Sequence, residues 1–198
     1  MFRLSKIIQP TTTPYATRAD FCRVFREDMN RLYLLSFLLT GDRNLAEQCF
    51  VGGLRMSSEG NPVFKEWAGS WARRTIIQNA IRMIRARVGD AEKPAAISSG
   101  DGPGVIDRPE IAKIVALPAF ERFAFVMSML ECYSDQECSV LLGCSRREVM
   151  EARERALRRT GEGAELRGKV NSFASDEIVM PDNQGPSLQV FSALATSA

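Results

Sequence analysis

Two helix starts of the same chemistry, eleven residues apart, constrain this chain more than any other feature. Ser134-Asp135-Gln136-Glu137 and Ser145-Arg146-Arg147-Glu148 both carry an S-x-x-E pattern. In such a box the hydroxyl and the carboxylate satisfy amides that have no partner in the first turn of a helix. Between the boxes Leu141-Leu142 precedes Gly143, and glycine accepts the left-handed conformation that ends a helix. The pattern predicts a short helix from Asp135 to Leu142, a tight turn, and a second helix from Arg146 to Thr160. That succession has the length and chemistry of a helix-turn-helix. Cys138, Leu141, Val149 and Ala152 are expected to pack the two helices together. A plain helical hairpin has the same local pattern, so DNA binding is one of two readings at this point.

On a helical wheel, Val149, Ala152, Arg153, Ala156 and Leu157 turn inward. Arg147, Met150, Glu151, Glu154 and Arg158 turn outward and, with Ser145 and Arg146 at the helix start, form the candidate DNA-reading face. Arginine suits phosphate or guanine, and glutamate accepts from cytosine N4. Arg147–Glu151 and Glu154–Arg158 are also i,i+4 pairs, which neutralise one another on a solvated surface. Residues 145–160 hold six Arg and three Glu, which makes a weak electrostatic footprint.

The rest of the chain also reads as helix. Phe21, Phe25, Met29, Leu32, Leu35 and Leu39 share one face, which predicts a helix over 20–40 that Gly41 stops. Asp42 or Asn44 caps a second helix over 45–56, a loop covers 57–62, and a long helix covers 63–88. Residues 89–108 are rich in Gly, Ser and Pro and read as a flexible linker. Helices over 109–116 and 119–132 lead into the helix-turn-helix. Residues 1–19 read as a disordered lead-in and 161–198 as a mostly disordered tail. The expected fold is therefore all-α: two small helical domains, 20–88 and 109–160, joined by the linker.

One stripe of the long helix joins aromatic rings to cations. Trp67, Trp71, Arg74, Gln78, Arg82 and Arg85 recur at gaps of 3 and 4, opposite an apolar arc of Ile76, Ile77, Ala80, Ile81, Met83 and Ile84. Rings interleaved with cations stack on unpaired bases while holding the backbone. The competing reading is structural: tryptophans packed against neighbouring elements, and arginines on a solvated face.

Charge is uneven along the chain. Residues 1–97 carry 15 Lys and Arg against 9 Asp and Glu, and residues 98–198 carry 11 against 15. A basic half suits a polyanionic partner. There is no histidine, no Gly-rich phosphate loop, and no Ser or Cys beside an evident base, so an enzyme is not expected. Cys132, Cys138 and Cys144 lie six residues apart without paired C-x-x-C spacing. All five cysteines are expected to be small buried hydrophobes, with no metal site, no cofactor and no small-molecule substrate. No apolar run reaches a membrane-spanning length and no signal peptide is legible, so a cytoplasmic location is expected.

The order of these features resembles the sigma factors of the extracytoplasmic-function (ECF) group. Leu38-Leu39-Thr40-Gly41-Asp42-Arg43 followed by Ala46-Glu47 is similar to that family's L-T-G-D-x-x-x-A-E signature. Trp71-Ala72-Arg73 followed by Ile77 resembles its promoter-melting helix, and Leu117-Pro118 with Glu121-Arg122 resembles its L-P-x-x-x-R entry to the second domain. Tyr133 to Glu137 with Leu141 to Ser145 resembles its helix-turn-helix. The resemblance spans 20–160. It implies RNA polymerase core and promoter DNA as partners, with the stripe on the proximal element and residues 145–158 on the distal one. Glu47, Gln48, Val51 and Gly52 occupy the positions it assigns to polymerase contact. The family's acidic run is replaced here by Gln48-Cys49-Phe50-Val51-Gly52, and Gly52-Gly53 within a helix costs about 1 kcal/mol each relative to Ala. Arg74 and Gln78 stand where Asn and Asp are usual, and Met150 and Ala152 where Lys and Arg are common. Retained core with drifted contacts supplies an alternative: a sigma-like regulator that binds an anti-sigma factor.

Overall fold

The computed structural model describes residues 13–88, with side chains as far as 84, and residues 108–161. The expected linker and tail, and residues 1–12 of the lead-in, lie outside the described residues, as does the side chain of Arg85. Among the described residues the regular structure is helical and no strand occurs. The helices are α1 (Arg18–Glu27), α2 (Met29–Thr40), α3 (Arg43–Glu59), α4 (Ala68–Val88), α5 (Pro109–Val115), α6 (Ala119–Phe125), α7 (Asp135–Leu142) and α8 (Arg146–Thr160). No helix among these residues is long and apolar enough to cross a membrane.

The single helix expected over 20–40 is two. Asp28 leaves the helical region at ψ 21°, and the chain bends there. The two pieces bury themselves differently. In α1 only Phe21, Cys22 and Phe25 are buried, whereas every residue of α2 from Leu32 to Thr40 is buried. A helix apolar all round belongs at the centre, and α2 touches α1, α3, α4, α5 and α6. Two buried hydroxyls are satisfied within the helix: Ser36 Oγ donates to Leu32 O at 2.9 Å and Thr40 Oγ1 to Ser36 O at 2.8 Å.

Residues 13–17 are not a disordered lead-in. Ala16 N donates to Val63 O at 2.6 Å and Lys65 N to Pro14 O at 3.0 Å, so this segment pairs with the approach to α4. Thr17 then caps α1 with Asp20 in a complete capping box. The Thr and Pro content that suggests disorder is blind to pairing with a segment nearly fifty residues away.

Asp42 caps α3, accepting from Leu45 N at 2.9 Å. α3 runs to Glu59, through the first residues of the expected loop, because Ser57 is buried and shares a 2.7 Å hydrogen bond with Thr75 of α4. The glycines inside α3 have a packing reason. A Cβ at Gly52 would collide with Asn79 Nδ2, and one at Gly53 would stand 2.7 Å from Ile76 Cγ1. The helices approach so closely that Asn79 Nδ2 reaches Cys49 O at 3.1 Å. Close packing offsets the propensity cost of glycine.

The long helix expected over 63–88 begins as one 3-10 turn at Lys65–Trp67 before α4. The helix expected over 119–132 is α6 followed by a π-helical turn at Val126–Leu130, and Phe123 to Met127 are all buried. The division along the chain does not keep the halves apart in space. α5 and α6 contact α2, and one hydrophobic cluster holds residues of both halves. Arg122 of α6 lies within that contact. It donates to Val115 O at 2.9 Å and Leu117 O at 3.2 Å in its own half. It also donates to Leu39 O and Thr40 O at the end of α2, each at 3.2 Å. Burial pulls the guanidinium down to about 10, so it remains protonated at neutral pH.

Candidate nucleic-acid interface

The helix-turn-helix forms as its local chemistry dictates. Ser134 Oγ accepts from Glu137 N at 3.3 Å, while Glu137 Oε2 accepts from Ser134 N at 2.9 Å. Ser145 and Glu148 repeat the exchange at 3.2 and 2.7 Å. These bonds hold the Glu137 and Glu148 carboxyls below the usual range. Gly143 takes φ 67°, the left-handed cap that the turn requires. Cys138, Leu142, Val149, Ala152 and Ala156 are buried, and Leu141 packs half-buried against them.

The outward face of α8 is fully presented: Ser145, Arg146, Arg147, Met150, Glu151, Glu154 and Arg158 are all exposed. Every arginine of α8 nevertheless has a partner. Arg147 pairs with Glu151 at 2.8 Å and Arg158 with Glu154 at 3.3 Å, as the i,i+4 spacing predicts. Arg153 pairs with Asp135, Arg146 bonds to Gln136, and Arg155 and Arg159 converge on Glu121 of α6. These four orient α8 on α6 and α7. Arg159 Nε lies 3.1 Å from Glu121 Oε2 as an ion pair without an aligned hydrogen bond. Arg147 and Arg158 are different: their side chains are 88% and 75% exposed. Water screens pairs this exposed and leaves them little net worth, so a phosphate can displace the carboxylates at small cost.

The aromatic–cation stripe sorts into unlike members. Trp67 is 58% exposed, and Phe64 meets it edge-on, ring centroids 5.3 Å apart. Tyr15 stacks on Phe64 at 5.0 Å, which makes a surface cluster of three rings that the stripe pattern did not contain. Trp71 instead packs half-buried against the core, and its Nε1 is buried with no hydrogen-bond acceptor among the described residues. Arg74 and Gln78 are half-buried, and Arg82 is exposed and bonds to Met56 Sδ. The apolar arc is as expected: Ile76, Ile77, Ala80 and Ile81 are buried, with Met83 and Ile84 packed beside them.

Trp67, Trp71, Arg74 and Gln78 line a groove of about 840 Å³ together with Arg73. Its opposite wall is Glu131, Cys132, Tyr133 and Glu137, from the other half of the chain. Arg73 is absent from the stripe because it sits one position off the gaps of 3 and 4. The acidic wall is not legible in the sequence as part of this site, since only folding brings it there. Burial pushes the Glu131 carboxyl up, and the nearby Arg73 guanidinium only partly offsets this.

Among the positions assigned to polymerase contact, Gln48 is exposed, Glu47 and Val51 are half-buried, and Gly52 faces Asn79 of α4. The cysteines depart from the expectation that all five are buried. Cys22, Cys49 and Cys138 are buried, Cys144 is half-buried and Cys132 is exposed at the groove. Burial pushes the Cys49 and Cys138 thiols up to about 12 and about 11, away from thiolate chemistry. Cys132 sits at φ 60° in the turn before α7. None of the five forms a disulfide. Among the described residues no group of three or more Cys, Asp or Glu is placed to hold a metal ion.

No protein-family model, curated protein or solved structure matches this chain.

Proposed function

We propose that this chain is a DNA-binding transcription factor of the sigma type, a divergent relative of the ECF group that directs RNA polymerase core to promoters. The observation that carries the reading is the doubly capped helix-turn-helix, with a recognition helix whose outer face is exposed from Ser145 to Arg158. The exposed Trp67, which lines one groove with Arg73 and Arg74, supports contact with an opened strand. Stacking on such a ring is worth roughly 1–3 kcal/mol per base. Phosphates supply most of the affinity and base edges the selection. Cytoplasmic location and the absence of catalysis belong to the same proposal.

The test is reconstitution. The full chain is expected to co-purify with core RNA polymerase and to direct run-off transcription from a subset of genomic promoters. Failure to bind core polymerase would remove the reading. In the same system, Arg147→Ala with Arg158→Ala is expected to weaken promoter binding and to lower the salt slope by about one per phosphate that the arginines neutralise. An unchanged slope would mean that these arginines are paired surface charges only.

The second reading, a sigma-like regulator that works by binding an anti-sigma factor, is favoured by one observation. Each arginine on the outer face of α8 is already neutralised or bonded within the chain. It predicts stable capture of a protein partner with no transcription from any promoter.

A further inference from the structure

Two thiols meet in the core of the helix-turn-helix. Cys138 lies on α7 with no exposed surface, and Cys144 lies half-buried in the turn before α8. Gly143 N and Cys144 N both donate to Ser139 O, the latter at 3.1 Å. A helix that ends this way packs the residue after its turn back on its own last turns, which brings Cys144 over the stretch that holds Cys138. Both side chains join the same hydrophobic cluster. Asp135, Glu137, Arg153 and Cys144 all act on the Cys138 thiol, so the two sulfur groups are near neighbours. The pair is unequal. Burial pushes Cys138 up to about 11 and keeps it protonated and away from solutes. Cys144 is the member that a small solute reaches.

We infer that Cys138 and Cys144 are an oxidation site, at which a hydroperoxide closes a disulfide that fixes the turn between α7 and α8. Cys144 reacts first. Its thiolate sulfur attacks one peroxide oxygen, the O–O bond breaks, and the oxygen that leaves as hydroxide takes up a proton to become water. Sulfur has lost two electrons to the peroxide and is now a sulfenic acid. Cys138 then attacks the Cys144 sulfur and gives up its proton to the departing hydroxyl. The S–S bond forms, the S–O bond breaks and a second water leaves. Two thiols and one hydrogen peroxide thus become one disulfide and two waters. Closure ties α7 to the residue immediately before Ser145, the cap that starts α8. The inference concerns the turn itself and does not depend on α8 reading DNA.

The experiment treats the folded full-length chain with a slight excess of hydrogen peroxide, labels the remaining thiols with N-ethylmaleimide in denaturant, and cleaves after glutamate. Cleavage after Glu137 and Glu148 releases Cys138 and Cys144 together on residues 138–148, and cleavage after Glu131 and Glu137 releases Cys132 by itself on residues 132–137. The 138–148 peptide is expected to carry no label and to be lighter by two hydrogens than its reduced form. That species should rise about tenfold over the untreated chain, and dithiothreitol should restore both labels. Cys138→Ala is expected to strand Cys144 as a sulfenic acid that dimedone traps, and Cys144→Ala to leave Cys138 labelled. The amides of Gly143 and Cys144 are expected to exchange hydrogen about fivefold more slowly in the oxidised wild type. Recovery of Cys138 and Cys144 with label while Cys132 is oxidised or bridges two chains overturns the pair. So does conversion of Cys144 to sulfinic acid with no disulfide. Exchange that does not slow after oxidation overturns the fixing of the turn.

Discussion

Arg122→Met is expected to destabilise the chain by about 3–5 kcal/mol, because several buried carbonyls lose a charged donor at once. The side chain is buried and its guanidinium supplies four hydrogen bonds, two inside its own half and two to the end of α2. Methionine restores much of the volume but no donor. It leaves the carbonyls of Leu39, Thr40, Val115 and Leu117 without this partner. A buried acceptor left unmade costs roughly 1–3 kcal/mol. Since whole domains are stable by about 5–15 kcal/mol, this is a large share of the total. Thermal unfolding of the full chain is expected to drop by roughly 10 °C or more. Hydrogen exchange should accelerate both at the end of α2 and around α5, because one side chain closes both. Arg122→Lys should recover part of the stability, as an ammonium is a compact charge without the planar fork that reaches four acceptors. A melting temperature within a few degrees of wild type would show that water satisfies these carbonyls and that Arg122 is not the tie between the halves.

The second large effect separates the two tryptophans. Trp71→Ala is expected to cost about 2–4 kcal/mol, somewhat below the usual penalty for a fully buried tryptophan. Trp71 packs against the core cluster, so its removal opens a cavity beside α4. Trp67→Ala should change stability by no more than about 0.5 kcal/mol, because its ring is 58% exposed and among the described residues its aromatic contact is with Phe64. The functional effects are expected to run the other way. Trp67→Ala should weaken binding of single-stranded DNA by about tenfold at unchanged stability, through removal of one stacking surface. Thermal unfolding of both variants, followed by oligonucleotide titration of whichever remains folded, checks this. Equal destabilisation by the two substitutions would mean that Trp67 is also structural, and would remove the exposed ring from the proposed strand-binding face.

These two residues also mark where periodicity stops being informative. Gaps of 3 and 4 place Trp67 and Trp71 on one stripe, and both rings line one groove with Arg74 and Gln78. Spacing along a helix does not say how deep its neighbours lie, so it does not distinguish a ring at the surface from one against the core. The extra rings of Tyr15 and Phe64 are hidden for a related reason. They meet only because residues 13–17 pair with residues 63–65.

What the amino-acid order determined by itself is what depends on neighbours within about four residues. The two capping boxes, the left-handed Gly143, the cap at Asp42, the i,i+4 pairs of α8 and its inward and outward faces all close over such spans. Backbone geometry sets these contacts as soon as the helix forms. Tertiary structure decided the rest. The bend at Asp28 follows from α2 being surrounded while α1 is buried on one face. Gly52 and Gly53 look like helix defects until Asn79 and Ile76 lie against them. Arg122 reads as an ordinary helical arginine until it reaches carbonyls 82 and 83 residues earlier. The acidic wall of the groove is of the same kind, for charges far apart in sequence interact only once burial of apolar surface has paired the helices that carry them.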